Sequence, residues 1–350
     1  MKKVIVLGAQ VPFVQGGAEF LNQSLVNEIN QLEGIQAELV QVPFKWYPEE
    51  EILNNVISWR LLDLSGSDGK AIDLIIGTKF PTYAVEHSKK VLWLFHQHRI
   101  FYDLENTEFD FMRSSKDAYI LRNEIRALDK KFIYECSPRF TISRNVTNRL
   151  SRFCEIDSTP LFPPPRLADR ILPGPYDDRI LYIGRLNELK RPDLLIKAIK
   201  YVKKAKISII GAGPEDYSKS LQGLINDYDL FDRCEILGFL KDEELISRLS
   251  KARAVFYAPL DEDYGFITIE AFLAKKPVIS CIDSGEIRTF IEETGAGFLS
   301  NSDPEEIAKN INKVYDMNDK ELENISMRGY ELAKNITWDN IIKRLVLDNL

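Results

Sequence analysis

Residues 180–210 read ILYIGRLNELKRPDLLIKAIKYVKKAKISII. Ile180–Ile183 is a short, unbroken apolar run. Pro192 then opens a helical pattern that extends to Lys204, and Ile207–Ile210 is a second apolar run. Proline at the first helical position loses nothing, because that N–H has no partner in any helix. Apolar runs of this length without polar alternation are strands buried on both faces, the texture of a parallel sheet covered by helices. The stretch is therefore a strand–helix–strand unit, and the pattern repeats in both directions. Downstream, Cys234–Leu237, Ala254–Ala258 and Pro277–Cys281 are strands. Ser218–Tyr228, Asp242–Ser250 and Gly265–Ala274 are helices, with two more near 284–293 and 304–316. Upstream, Val4–Leu7, Ala37–Val42, Ile72–Ile76, Val91–Phe95 and Thr141–Ser143 are strands. A helix starts at Glu19, with Leu21, Leu25, Ile29 and Leu32 at helical spacing. Another lies between about 113 and 135 on Leu121, Ile125, Leu128 and Phe132, and a third covers Asn145–Phe153. The fold class is α/β, in two doubly wound halves.

The halves are separated by residues 160–177, PLFPPPRLADRILPGPYD, where six prolines preclude both helix and central strand. This places a first domain at 1–165, a linker at 166–177 and a second domain at 178–337. Of the 350 residues, 45% are hydrophobic and 28% charged, which excludes a disordered chain. Net charge is −7, a poor footprint for a nucleic-acid binder. Residues 99–170 hold 13 basic and 11 acidic residues, which gives only weak support for contact with an acidic surface. Cys136, Cys154, Cys234 and Cys281 are far apart and there are three histidines, so no zinc site is expected. No run of about 18 apolar residues exists, and Val4–Leu7 is too short for a signal peptide core. The expected location is the cytoplasm.

In doubly wound sheets, ligands sit beyond the carboxyl ends of the strands, so the strand-to-helix loops are where chemistry belongs. The first loop, Gly8 to Gly17, lacks the G-x-G-x-x-G spacing. Its paired Gly16 and Gly17 at a helix start either approach an anion or sugar closely or form a plain tight turn. A second glycine loop, Gly211-Ala212-Gly213, also fails the dinucleotide spacing and reads as a structural turn. The loop 184–191 carries Arg185 and Lys190 over a helix N-terminus, an arrangement suited to a diphosphate; solvated surface charge is the alternative. The segment 259–271, PLDEDYGFITIEA, is the most informative. Gly265 sits where loop enters helix, and the N–H groups of Phe266, Ile267 and Thr268 are expected to be open donors. Glu270, a turn further in, would reach a ribose hydroxyl. Glu262, on the loop before, would reach the group beyond the phosphates.

These motifs, in this order, resemble the retaining glycosyltransferases of family four. The resemblance rests on Gly16-Gly17-Ala18-Glu19, Gly184-Arg185-Leu186 with Lys190-Arg191-Pro192, Ile210-Gly211-Ala212-Gly213-Pro214-Glu215, and two glutamates, Glu262 and Glu270, separated by seven residues. It covers essentially the whole chain and is strongest over 180–300. It implies the GT-B fold, two Rossmann-like domains facing a cleft, with a final helix, 338–350, that packs back on the first. Arg185 and Lys190 match the family's phosphate-gripping pair, Glu270 the ribose-binding acid and Glu262 the acid that contacts the donor sugar. His96 matches a histidine placed beside that sugar, and Gly17 a glycine next to the leaving phosphate. His87 and His98 have no such match and read as ordinary residues.

The resemblance implies a hexosyl transfer from a nucleotide-diphosphate sugar, a co-substrate, to a hydroxyl of a glycan or lipid-linked acceptor, with retention, in cell-surface polysaccharide synthesis. No cofactor is expected. Asp261-x-Asp263 has the form of a metal motif, but it lies inside the two-glutamate segment and reads as coincidental, so no metal is expected either. The proline-rich segment is the expected hinge for closure over the donor. Lipid-linked acceptors leave room for peripheral contact at the inner face of the cell membrane. Two other readings share these residues: a nucleotide-sugar 2-epimerase, and a non-catalytic nucleotide-sugar binder serving a partner transferase. Neither donor base nor oligomeric state is legible.

Overall fold

The computed structural model describes residues 1–14, 16–115 and 117–350; Gln15, in the first glycine loop, and Lys116, in the stretch read as a helix from about 113, lie outside them. The chain divides into two units, Met1–Arg166 with Thr337–Leu350, and Leu167–Ile336.

Unit 1 is built on β1 (Lys2–Gln10), followed by α1 (Gly17–Ile29), β2 (Ile35–Pro43) and α2 (Glu50–Leu61). A two-residue hairpin, β3 (Gly66–Ser67) and β4 (Lys70–Ala71), leads to β5 (Leu74–Gly77) and β6 (Lys90–Leu94). Then come α3 (Ala118–Tyr134), β7 (Arg139–Thr141), α4 (Arg144–Cys154) and β8 (Thr159–Pro160). The six-stranded sheet runs β2-β1-β5-β6-β7-β8 with every pair parallel. Pro160 therefore ends an edge strand, where its missing donor faces no neighbour. Val4, Val6, Leu7, Ile75, Ile76, Leu92 and Leu94 are buried along consecutive positions, as two covered faces require. The last helix, α12 (Trp338–Leu345), belongs to this unit. It buries Ile341, Ile342 and Leu345, and sets Trp338 edge-on to Trp93 at 6.3 Å. The helix read from about 113 starts at Ala118. Before it, an irregular segment is pinned by ion pairs: Arg99 to Asp103 at 2.6 Å, Arg149 to Asp103 at 3.1 Å, Arg122 to Asp110 and Arg126 to Glu105. These arginines are thus paired with acids of the same segment, which fixes their side chains within unit 1.

Unit 2 alternates more regularly. Its elements are β9 (Arg179–Ile183), α5 (Pro192–Ile199), β10 (Lys206–Ile210), α6 (Glu215–Asp227), β11 (Cys234–Gly238), α7 (Asp242–Lys251), β12 (Ala254–Phe256) and α8 (Phe266–Leu273). They continue with β13 (Val278–Cys281), α9 (Glu286–Thr294), β14 (Gly297–Ser300), α10 (Pro304–Asp316) and α11 (Asp319–Ala333). The parallel sheet runs β11-β10-β9-β12-β13-β14, the order of a dinucleotide-type doubly wound domain. α5 stops before Lys204 because the amides of Tyr201 and Val202 turn back three residues, to Ala198 and Ile199, at 3.0 Å each. Among the described residues no helix is long and apolar enough to cross a membrane.

One buried cation anchors the end of the proline-rich segment in unit 2. Lys276 Nζ donates to the carbonyls of Gly174 and Pro175 at 2.9 and 3.1 Å and lies 3.9 Å from the ring centre of Tyr176. Burial pushes the ammonium down from 10.5 to about 8, against the pull of Asp177 and Asp319. Lys276→Met leaves the Gly174 and Pro175 carbonyls without their donor and is expected to cost about 1–3 kcal/mol in urea unfolding. The pH dependence is also specified. Between about 8 and 10.5 the unfolded chain holds this proton and the native state does not. Wild type should therefore gain stability relative to Lys276→Met as pH rises through that window.

Candidate functional site

In unit 2 the strand order reverses between β9 and β12, so the loops leaving these strands diverge and open a crevice at their carboxyl ends. Residues 184–191 follow β9, 257–265 follow β12 and 282–285 follow β13. Backbone bonds join the three loops: Leu260 N–H to Leu189 O and Asp261 N–H to Asp283 O, both 2.8 Å, and Glu286 N–H to Glu262 O at 3.1 Å. Arg191 clamps them. Its Nε donates to Ala258 O at 2.7 Å, and its Nη1 and Nη2 fork onto the Asp283 carboxylate at 2.8 and 2.6 Å. A planar guanidinium meeting a carboxylate in this way fixes geometry as well as charge. From below, Tyr182 Oη donates to Arg185 O at 2.9 Å. The second glycine loop shapes the same region. A Cβ at Gly211, where φ is +146, would fall 1.8 Å from Gly184 O, and one at Gly213 would fall 1.9 Å from Leu186 O. That loop packs its backbone closely against the loop after β9.

Within this frame Lys190 Nζ is bonded to the Glu262 carboxylate and donates to Tyr257 Oη at 3.3 Å. Burial first, then the Glu262 carboxylate, push the Tyr257 hydroxyl well above its ordinary range, so it stays neutral. Arg185 is exposed, and its guanidinium makes no hydrogen bond or ion pair among the described residues. Glu270 is buried in the second turn of α8. Gly265 caps α8 with φ +81, and a Cβ there would also meet Ile287 Cγ1 at 2.7 Å, so the loop enters the helix by a path closed to other residues. The amides of Phe266 and Ile267 carry no hydrogen bond among the described residues. Thr268 corrects the expectation of three open donors. Its N–H donates to Gly265 O at 2.9 Å, because the first turn is tightened to the three-residue type. Among the described residues no group of three or more His, Cys, Asp and Glu is placed to hold a metal ion, Asp261 and Asp263 included.

The remaining candidates stand in unit 1, whose strand order reverses between β1 and β5. Gly16 is the N-cap of α1 and Gly17 its first residue. Glu19 accepts from Gly16 N–H at 2.9 Å and from Lys79 Nζ, beyond β5, at 2.7 Å. Burial raises its pKa, but Lys79 and the Gly16 amide outweigh that and hold it below the usual carboxylate value. His96 follows β6, with Nδ1 3.0 Å from Gln97 O; a carbonyl only accepts, so Nδ1 carries the hydrogen. His98 packs on Phe44, Phe80 and Phe101, and burial drives its pKa to about 3, so it is a neutral core side chain. His87 bonds to the Lys89 carbonyl at 2.8 Å. Tyr257, Arg191, Asp283 and Lys79 carry no role in the sequence reading. Arg191 enters that reading only as part of the Lys190-Arg191-Pro192 motif, and Lys79, Tyr257 and Asp283 each lie one or two residues past a strand end.

Residues 172–332 match the family described as glycosyl transferases group 1. The match covers a little under half of the chain and lies within unit 2. Within it lie Arg185, Lys190, Glu262, Gly265 and Glu270. The O-antigen chain mannosyltransferase RfbU of Salmonella typhimurium is 28% identical over 166 residues, 47% of this chain and 47% of that protein. The chain thus spans about half the length of the curated relatives it matches. Among solved structures, sucrose-phosphate synthase from Thermosynechococcus elongatus aligns with a TM-score of 0.75 at 15% identity, over 98% of this chain and 97% of the other. HepE from Anabaena, solved in complex with UDP and glucose, aligns with a TM-score of 0.69 at 17% identity over the full length of both. The chain has the GT-B fold of two parallel-sheet α/β domains.

Proposed function

We propose that this chain is a retaining glycosyltransferase that moves a hexosyl unit from a nucleoside-diphosphate sugar to a hydroxyl of a glycan or lipid-linked acceptor in cell-surface polysaccharide synthesis. The reading rests on one observation. At the switch point of unit 2, the Arg185 guanidinium and the amides of Phe266 and Ile267 at a helix start make no hydrogen bond among the described residues. Arg185, Lys190 and the amides of Phe266 and Ile267 stabilise the charge that builds on the diphosphate as the sugar bond breaks. Glu270 takes a ribose hydroxyl and Glu262 the donor sugar. In unit 1, Gly16 and Gly17 admit close approach of the leaving phosphate, and His96 contacts the sugar. Two cations and a helix end supply the electrophilic help that a divalent metal gives elsewhere, so the reaction is metal-independent. The relative's printed name, a mannosyltransferase of the O-antigen chain, supports the class of product.

The test is a panel of nucleoside-diphosphate sugars scored by thermal stabilisation. A donor at a hundred times its Kd adds about 2.7 kcal/mol to native stability. The stabilising donor, given an acceptor, should yield a product with unchanged anomeric configuration by NMR, with turnover insensitive to EDTA. A donor epimerised at C2 without acceptor would replace this reading with the 2-epimerase. Binding without turnover on any acceptor would favour the non-catalytic binder. Activity lost in EDTA and restored by manganese would overturn metal independence.

A further inference from the structure

Two buried tyrosines lie under the loop that carries Arg185 and Lys190, and the proposed chemistry uses neither. Tyr182 stands on β9 and Tyr257 one residue past β12, neighbouring strands at the switch point of unit 2. Their ring centres are 6.5 Å apart. The loop begins in contact with both rings: a Cβ at Gly184 would fall 3.1 Å from Tyr182 Oη and 3.5 Å from Tyr257 Cε2. The two hydroxyls serve different parts of the loop. Tyr182 Oη donates to Arg185 O at 2.9 Å and lies 3.4 Å from Lys190 O, so it holds main chain. Tyr257 Oη accepts from Lys190 Nζ at 3.3 Å, so it holds a side chain. Tyr257 is itself fixed from behind. Its N–H donates to Ile279 O at 3.0 Å, and its carbonyl accepts from Ser280 Oγ at 2.7 Å.

Lys190 Nζ therefore has two oxygen partners of different electrical character, the Glu262 carboxylate and the Tyr257 hydroxyl. A carboxylate cancels much of the ammonium's charge for any anion approaching from outside. A neutral hydroxyl orients the ammonium and leaves its charge intact. Burial first, then the Glu262 charge, keep Tyr257 protonated. We propose that Tyr257 is a positioning residue that keeps Lys190 aimed at the diphosphate once Glu262 turns to the donor sugar. The inference rests on the function proposed above, in which Lys190 grips the diphosphate and Glu262 contacts the sugar. Without the hydroxyl, a lysine released by Glu262 regains the freedom of a four-carbon stem, and binding has to remove that freedom again.

Calorimetric titration with UDP, GDP and ADP tests this role. Tyr257→Phe removes one oxygen and keeps the buried ring. With Glu262 still holding the ammonium, it should weaken binding of the diphosphate only about 2- to 3-fold. Added to Glu262→Gln, where no carboxylate holds Lys190, it should weaken binding about 10-fold relative to Glu262→Gln alone. Added to Lys190→Met it should change nothing further, because there is no ammonium to hold. Equal losses in all three backgrounds would make Tyr257 a core support and overturn the proposal. If Tyr257→Phe does not fold, a crystal structure of the wild type with the bound diphosphate decides. Lys190 Nζ bonded to both Tyr257 Oη and a phosphate oxygen supports the role, and Nζ turned away from Oη overturns it. A wild type that binds none of the three diphosphates would overturn the proposed function and this role with it. Binding that Lys190→Met weakens, and that Tyr257→Phe leaves untouched in every background, would overturn the role of Tyr257 alone.

Discussion

Arg185→Ala should lower kcat by about 10²–10³, equivalent to ~3–4 kcal/mol of transition-state stabilisation, while leaving the unfolding midpoint where it is. The two halves of this expectation have separate grounds. Arg185 is exposed, and its side chain has no hydrogen bond or ion pair to lose among the described residues, so its removal should stay within about 0.5 kcal/mol of wild-type stability. Its main chain nonetheless holds a fixed position, because Tyr182 Oη and the 211–213 loop lock the backbone from below and beside. A charge with no partner among the described residues, on a loop held this way, is pre-placed for an outside anion. Arg185→Lys should recover part of the rate, since a point charge replaces a planar fork. Wild-type kcat in the alanine variant, measured with the donor found by thermal screening, would remove Arg185 from the phosphate grip.

How much of this could be read from the chain alone depends on the span of the interaction. Strands such as Ile180–Ile183 and Val91–Leu94 are legible because helices cover both faces and leave no polar position. α11 was not legible: its buried positions are Leu322, Ser326, Gly329 and Ala333, small or polar residues that let the helix approach α8 closely. α2 was hidden in the same way, with Ile52, Val56 and Trp59 scattered among asparagine and glutamate. At the site, order and local spacing single out Arg185, Lys190, Glu262 and Glu270, and the structure joins two of them, Lys190 and Glu262, in an ion pair. The Arg191–Asp283 clamp joins residues 92 positions apart, and no local pattern announces it. The Thr268 amide shows the opposite limit. Counting open donors at a helix start assumes a regular first turn, and here that turn tightens onto Gly265 O. The Lys190–Glu262 contact joins residues 72 positions apart, and the sequence places each against a different part of the donor.

That contact gives Glu262→Gln two effects of opposite sign. The Lys190 ammonium is held by the Glu262 carboxylate, with side chains only 16% and 19% exposed. For Lys190 to meet a phosphate and Glu262 a sugar, the pair must loosen, so part of each donor's binding energy goes to separating it. Glutamine keeps the shape and one acceptor but gives up the charge, leaving Lys190 more available to phosphate. The sugar-free nucleoside diphosphate should therefore bind Glu262→Gln more tightly than wild type, by about 3- to 10-fold if a half-buried pair is worth ~1 kcal/mol. Transfer should fall about 10²-fold, because the carboxylate that contacts the sugar is gone. Lys190→Met should weaken diphosphate binding and turnover together, since it removes the cation itself. A purely structural ion pair predicts something else: both substitutions would weaken binding and kcat in parallel with the loss of stability. Calorimetric affinities for the diphosphate beside kcat for the full donor separate the two cases, and tighter binding with slower transfer is the combination that only competition between Glu262 and the diphosphate for Lys190 produces.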